Sequence, residues 1–176
     1  MSPFRIRGVS DEDAAAVEAQ LGRPGRGMYS VAQRCPCGLP DVVATEPRLP
    51  DGTPFPTTFY ATCPRLTGAI STLEASGLMK DMTERIAADP ELAAAYQRAH
   101  EHYLASRALL GDVPEIDGIS AGGMPTRVKC LHVLAAHSLA AGHGVNPLGD
   151  EVLEALGSWW APGPCVTCVD GVWERQ

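Results

Sequence analysis

The chain changes character at Thr62-Cys63-Pro64, and this change limits the folds open to it. Before that point the apolar residues come in short β-branched and aromatic runs. Residues 28–34, 42–45 and 57–62 each read as a strand. Between them, Cys35-Pro36-Cys37-Gly38-Leu39-Pro40 and Leu49-Pro50-Asp51-Gly52-Thr53-Pro54 are turns that cannot continue a ladder. A small antiparallel sheet is the arrangement that short strands joined by such turns allow. After Cys63 the spacing becomes helical. Pro64 suits a first helical position, and Leu66, Ile70 and Leu73 share one face.

Gly77 stops that helix, and residues 78–88 read as a second helix or a continuation of it. Asp89-Pro90-Glu91 combines a cap, a first-turn proline and an acid, which predicts a long helix over residues 90–110 ended by Gly111. Residues 112–125 read as a loop, residues 126–141 as a helix, and Asn146-Pro147 as the lead into a last helix over 150–156. Upstream of the sheet, Ser10 caps a short helix with an acidic first turn that Gly22 and Pro24 end. Near the C-terminus, Asp170-Gly171 is suited to turning a hairpin. The expected class is α+β: a small sheet near the N-terminus packed with several helices. It forms one domain over residues 1–157, with a Cys/Trp-containing tail over 158–176.

Charge narrows the function classes. The formal net charge of −7 argues against a general nucleic-acid binder, which carries a basic face. No apolar run reaches the roughly 18–20 residues of a membrane span. Arg5 and Arg7 are not followed by the apolar stretch of a secretory signal, so a cytoplasmic location with reduced thiols is the expectation.

In that compartment the six cysteines and five histidines are the candidate chemistry. Cys35-Pro36-Cys37 resembles half of a zinc knuckle, with one intervening residue rather than the usual two. Burial of Cys35 as a small core residue is the competing reading. Cys63 falls at a strand-to-helix junction, where a thiol feels the positive end of the helix. Cys130 and His137 are seven apart, which on a helix puts them within about 20° of one face. His132 on that helix points elsewhere. A buried His137 bonded to a backbone carbonyl is the alternative. Cys165-Val166-Thr167-Cys168 has true half-knuckle spacing, and Cys35 and Cys37 could complete a four-thiolate site with it. The glycine-bearing segment 121–129 runs toward a predicted helix start, so Arg127 and Lys129, with Arg34, are candidates for binding an anion. A solvated helix start explains those residues equally well. Tyr96, His100 and Tyr103 share a helix face and read as core packing, while His102 and His143 carry no pattern.

Several of these strings occur together and in order. Arg34-Cys35-Pro36, the Asp51-Gly52-Thr53-Pro54-Phe55-Pro56-Thr57 turn, Thr62-Cys63-Pro64, Arg127-Val128-Lys129-Cys130-Leu131-His132, Ala136-His137 and Asn146-Pro147-Leu148-Gly149 resemble the bacterial family called domain of unknown function 501. The resemblance spans about residues 10–157 and leaves out the Cys165/Cys168 pair. It implies an actinobacterial type of cytoplasmic protein. Its relatives are often encoded near a septum-formation initiator protein and an exopolyphosphatase, which makes a cell-division protein a candidate partner. No activity is established for the family, so it transfers no catalytic residue.

Three functional expectations follow. The first is a metal protein, with zinc held by Cys35, Cys63, Cys130 and His137 and a secondary set in Cys37, Cys165 and Cys168. An iron–sulfur cluster is the alternative cofactor. The second is an enzyme with Cys130 as nucleophile, activated by Lys129 or His137, and with the anion held by Arg127 and Lys129. The third is a non-catalytic interaction module anchored by Trp159, Trp160 and Trp173.

Overall fold

The computed structural model describes residues 8–176. Arg5 and Arg7, read above, lie outside the described residues. Helix α1 (Asp11–Leu21) starts where Ser10 Oγ accepts the Asp13 N–H at 3.1 Å, and it ends at Gly22 in the left-handed conformation. Strands β1 (Met28–Arg34), β2 (Pro40–Thr45) and β3 (Phe59–Ala61) form an antiparallel sheet in the order β1-β2-β3. Val43 pairs with Val31 on one side and Tyr60 on the other. Every residue of β2 is buried, as befits a middle strand with α1 and α5 (Leu131–Ala141) packed against it. The α+β expectation is met.

Helices α2 (Pro64–Glu74), α3 (Leu78–Ala88) and α4 (Pro90–Ala108) follow the sheet. Asp89 Oδ1 caps α4 by accepting the Glu91 and Leu92 N–H groups. A single 3₁₀ turn, Pro114–Ile116, lies in the next loop, then come α5 and α6 (Pro147–Leu156). Strands β4 (Val166–Val169) and β5 (Val172–Arg175) make the expected hairpin. Its turn residues Asp170 and Gly171 both have positive φ, as a two-residue hairpin turn requires. This C-terminal segment is part of the packed body, for Cys165 and Val166 belong to the same core as the sheet and helices.

The structure departs from expectation at residues 126–130. The helix predicted from Thr126 begins at Leu131 instead. Gly122 and Gly123 both have positive φ and turn the backbone back on itself. Lys129 N–H then donates to Gly122 O at 2.7 Å, and Arg127 N–H to Gly123 O at 3.1 Å. A side chain at Gly123 is barred, since its Cβ would lie 2.7 Å from Arg127 O. Val128 is buried and its N–H donates to Thr83 Oγ1 at 3.0 Å, which anchors the loop to α3.

Helix α5 is the centre of the fold. Its sequence, Leu-His-Val-Leu-Ala-Ala-His-Ser-Leu-Ala-Ala, lacks a charged face, and residues 133–138 are buried without a break. A helix apolar around its circumference must be enclosed. Against it α6 approaches very closely at Gly149, where a Cβ would lie 2.2 Å from Leu134 O.

His137 sits inside this packing, fully buried and ringed by Phe59, Tyr103 and His102. Its protonation state follows from its neighbours. Asn146 Oδ1 accepts the Gly149 N–H at 3.1 Å, so the Asn146 amide N–H faces His137 Nδ1 at 3.2 Å. Nδ1 therefore accepts, and Nε2–H donates to His102 Nδ1 at 2.9 Å. Burial first, and His102 second, press the His137 pKa down to about 3.

Two outcomes are expected. Gly149→Ala drives a methyl group into the α5 backbone and should destabilise the fold by about 2–3 kcal/mol, read as a lowered urea midpoint. For His137 the folded pKa of about 3 lies below the unfolded value of about 6.5. The unfolded chain thus binds the proton more readily at low pH. Its contribution is complete above about pH 6.5 and is lost as pH falls toward 3, by a few kcal/mol. Urea unfolding measured across that range should show the decline, and His137→Gln should flatten it.

Candidate functional site

Cys130, His132 and Glu74 meet where α2 ends and α5 begins. Cys130 is the N-cap residue of α5, with an extended backbone and no side-chain capping bond of its own. The cap comes from another helix. Glu74, the last residue of α2, accepts the Leu131 N–H on Oε1 at 2.8 Å, satisfying a first-turn donor that would otherwise be unpaired. The same oxygen stands 3.0 Å from His132 Nδ1. On the far side of the ring, His132 Nε2 faces the Thr67 carbonyl at 3.2 Å and Ser71 Oγ at 3.4 Å.

A carbonyl accepts only, so Nε2 carries a proton. Cys130 and Glu74 then determine what happens at Nδ1. The Cys130 sulfur first, and the Glu74 carboxylate after it, raise the His132 pKa to about 9 against the opposing effect of burial. At neutral pH His132 is an imidazolium held between a carboxylate and a carbonyl. Ligand atoms of Glu74, Cys130 and His132 all lie within 4.8 Å of one another. Among the described residues this is the group of three or more such side chains that converge closely enough to share one ion.

Cys130 and His132 also line a cleft of about 430 Å³. Its other walls come from Phe59 and Tyr60 in β3, Thr67 in α2, the end of α1, and Arg175 in β5. The cluster is half-buried, within reach of a molecule entering that cleft.

The expected ligands are distributed differently. Of Cys35, Cys63, Cys130 and His137, Cys130 alone belongs to the converging group. Because α5 starts after Cys130, the sevenfold spacing to His137 does not describe one helix face. His137 has both ring nitrogens bonded within the core. Cys35 is buried in its turn, where its sulfur accepts the Cys37 N–H at 3.5 Å and burial pushes its thiol up to about 12. Cys63 caps the start of α2 and meets Cys165 in the interior. The Cys63 thiol donates to the Cys165 sulfur, as does Gln20 Nε2 at 3.4 Å, and these bonds hold Cys165 down to about 6 while Cys63 is raised. Beside them Asp41 is fully buried, and burial lifts it to about 6 against the opposing effect of Cys63 and Trp159 next to it. Cys168 is exposed on β4, so Cys37, Cys165 and Cys168 do not share one converging group either.

The anion set is dispersed as well. Arg34 makes a two-pronged ion pair with Asp13 at 2.7 and 2.9 Å. Arg127 and Lys129 are exposed on the loop before α5 rather than on its first turn. Trp159 and Trp160 pack edge to face, half-buried, with centroids 4.6 Å apart.

Glu74 and His132 were not legible as site residues. Helical spacing that includes Cys130 sends His132 to a different face from Cys130. One signal was available. Leu131 follows Cys130, which is not one of the usual capping side chains, so a helix starting there needs its cap from elsewhere in the fold.

The sequence pattern of DUF501, described as a protein of unknown function, matches residues 31–154. The chain belongs to this family. No curated protein and no solved structure matches it. The DUF501 segment holds Glu74, Cys130 and His132 together with the β3 wall of the cleft. The cleft residues Gln20, Leu21 and Arg175 come from outside it. No helix among the described residues is long and apolar enough to cross a membrane.

Thiol accessibility gives a direct check on this placement. Iodoacetamide should label Cys130 and Cys168 in the folded protein, read by peptide mass spectrometry. Cys35, Cys63 and Cys165 should become labelled only in denaturant.

Proposed function

We propose that this chain is a metal protein in which Glu74, Cys130 and His132 hold one divalent ion beside the cleft. The observation that carries the reading is the Thr67 carbonyl on His132 Nε2, at 3.2 Å. Metal-binding histidines commonly donate their second ring N–H to a carbonyl or carboxylate, which fixes the tautomer and aims the other nitrogen at the ion. Here the other nitrogen is Nδ1, and it faces Glu74 with Cys130 in the same group.

Zinc suits one thiolate, one imidazole and one carboxylate. A single thiolate does not suit an iron–sulfur cluster, which is bound mainly by several cysteines. Three protein ligands leave a coordination position open, the pattern of catalytic rather than structural zinc. With zinc bound, a water in that position is acidified toward neutral pH, and hydrolysis of a bound molecule is the chemistry this favours. Within the protein, Glu74 keeps the start of α5 in place and Thr67 keeps the imidazole oriented.

The specific observation favouring a second reading is Cys130 at a helix start beside an imidazolium. There Cys130 acts as a nucleophile without metal, with His132 as its neighbouring charged group.

Metal analysis of untagged protein, with cobalt(II) substitution to reveal thiolate-to-metal absorption, separates the two readings. One ion per chain is expected. Cys130→Ser should abolish the thiolate band, and Glu74→Gln or His132→Gln should weaken binding by at least about tenfold. Cys35→Ser and Cys63→Ser should leave it intact. Apparent affinity should rise with pH up to about 9, because the ion replaces the proton on His132. Protein that takes up no metal but is rapidly alkylated at Cys130 would establish the thiol reading instead.

A further inference from the structure

The cleft has a charge asymmetry that points to its ligand. Among the described residues no Asp or Glu lines it, although acidic residues outnumber basic ones in the chain, 21 to 14. Arg175, on the last strand of the hairpin, supplies a guanidinium to its wall. One arm of that group is fixed, since Nη2 donates to the backbone oxygen of Gln20. Among the described residues no carboxylate lies within ion-pairing distance of Arg175. Arg34, Arg48 and Arg85, by contrast, each take a carboxylate in a short ion pair. Arg175 is thus a positioned cation, tethered at one nitrogen and without a carboxylate partner among the described residues, on the wall of the cleft that Cys130 and His132 also line.

The rest of the wall is mixed. Leu21, Phe59, Ala61 and Val133 offer apolar surface. A cavity of about 430 Å³ is in the range of small-molecule sites.

We propose that the cleft binds a small carboxylate with an apolar body, its carboxylate on Arg175 and its body against the β3 wall. A planar guanidinium is the side chain best matched to a carboxylate. At the nearby helix start, the Leu131 N–H is already taken by Glu74. The inference rests on the metal-centre reading for the ligand's other end, which is directed toward Cys130 and His132. It also places the recognition group outside the DUF501 segment and the reactive group inside it.

The test uses the full chain, zinc-loaded and chelator-treated, observed by NMR. It is titrated with phenylacetate, 3-phenylpropionate and 4-phenylbutyrate, with the primary amide of each, and with phenyl phosphate. At least one carboxylate should shift signals of Phe59 and Val133 and bind about tenfold or more tighter than its amide. Arg175→Gln should remove that preference without weakening the amide, and Arg175→Lys should restore part of it. Thermal melts of both variants show whether the hairpin remains docked. Equal binding of acid and amide, a preference that survives Arg175→Gln in folded protein, stronger binding of phenyl phosphate, or no shift at the cleft with any carboxylate would each overturn the inference. The two readings fail separately. Zinc held by Cys130 with carboxylates indifferent to Arg175 removes only the anion site. Carboxylates held by Arg175 in a protein that never takes up metal remove only the metal centre.

Discussion

The enclosure of α5 governs the rest of this structure. An eleven-residue helix without a charged face cannot lie at a surface, so sheet, helices and loops are arranged around it. Its two ends then become problems of hydrogen bonding rather than of packing. At the N-terminal end the first-turn amides need acceptors away from bulk water, and Glu74 arrives from α2 to supply one. At the other end α6 crosses so closely that only glycine fits at position 149. The functional cluster is a by-product of the first solution. The carboxylate that satisfies the helix start also stands against His132, the second residue of the helix.

Most of the elements were legible because their local signals agree with their burial. The α1 cap, the β1 limits, the α3 limits and the Asp89-Pro90 start of α4 appear where sequence spacing puts them. The largest departure, residues 126–130, has a simple cause. Pro125 and Thr126 resemble a helix start, but the two preceding glycines turn the chain and Val128 is drawn inward to α3. Long-range contacts decided that segment, and sequence periodicity cannot register them.

That single local difference also hid the site. Taking Cys130 as helical pairs it with His137 and sends His132 away. With Cys130 extended before the first turn, the pairing reverses. Cys130 stands with His132, while His137 belongs to an interior chain of hydrogen bonds running through Asn146 and His102. Glu74 was beyond reach for another reason. A glutamate closing an amphipathic helix looks like ordinary solvated surface until the fold shows what lies opposite it. The meeting of Cys63 with Cys165, more than one hundred residues apart in sequence, was similarly invisible.

One oxygen of Glu74 serves two masters, the Leu131 amide and the His132 ring. Anything that takes hold of this carboxylate therefore acts on the starting turn of the most deeply enclosed helix in the chain. Occupancy of the cluster and cohesion of the interior are then thermodynamically linked, so a ligand that draws Glu74 closer also shifts the folding equilibrium. The interior is in this sense a reporter of the surface cluster, and local opening at residues 131–134 would register an event in the cleft that leaves the outline of the molecule unchanged.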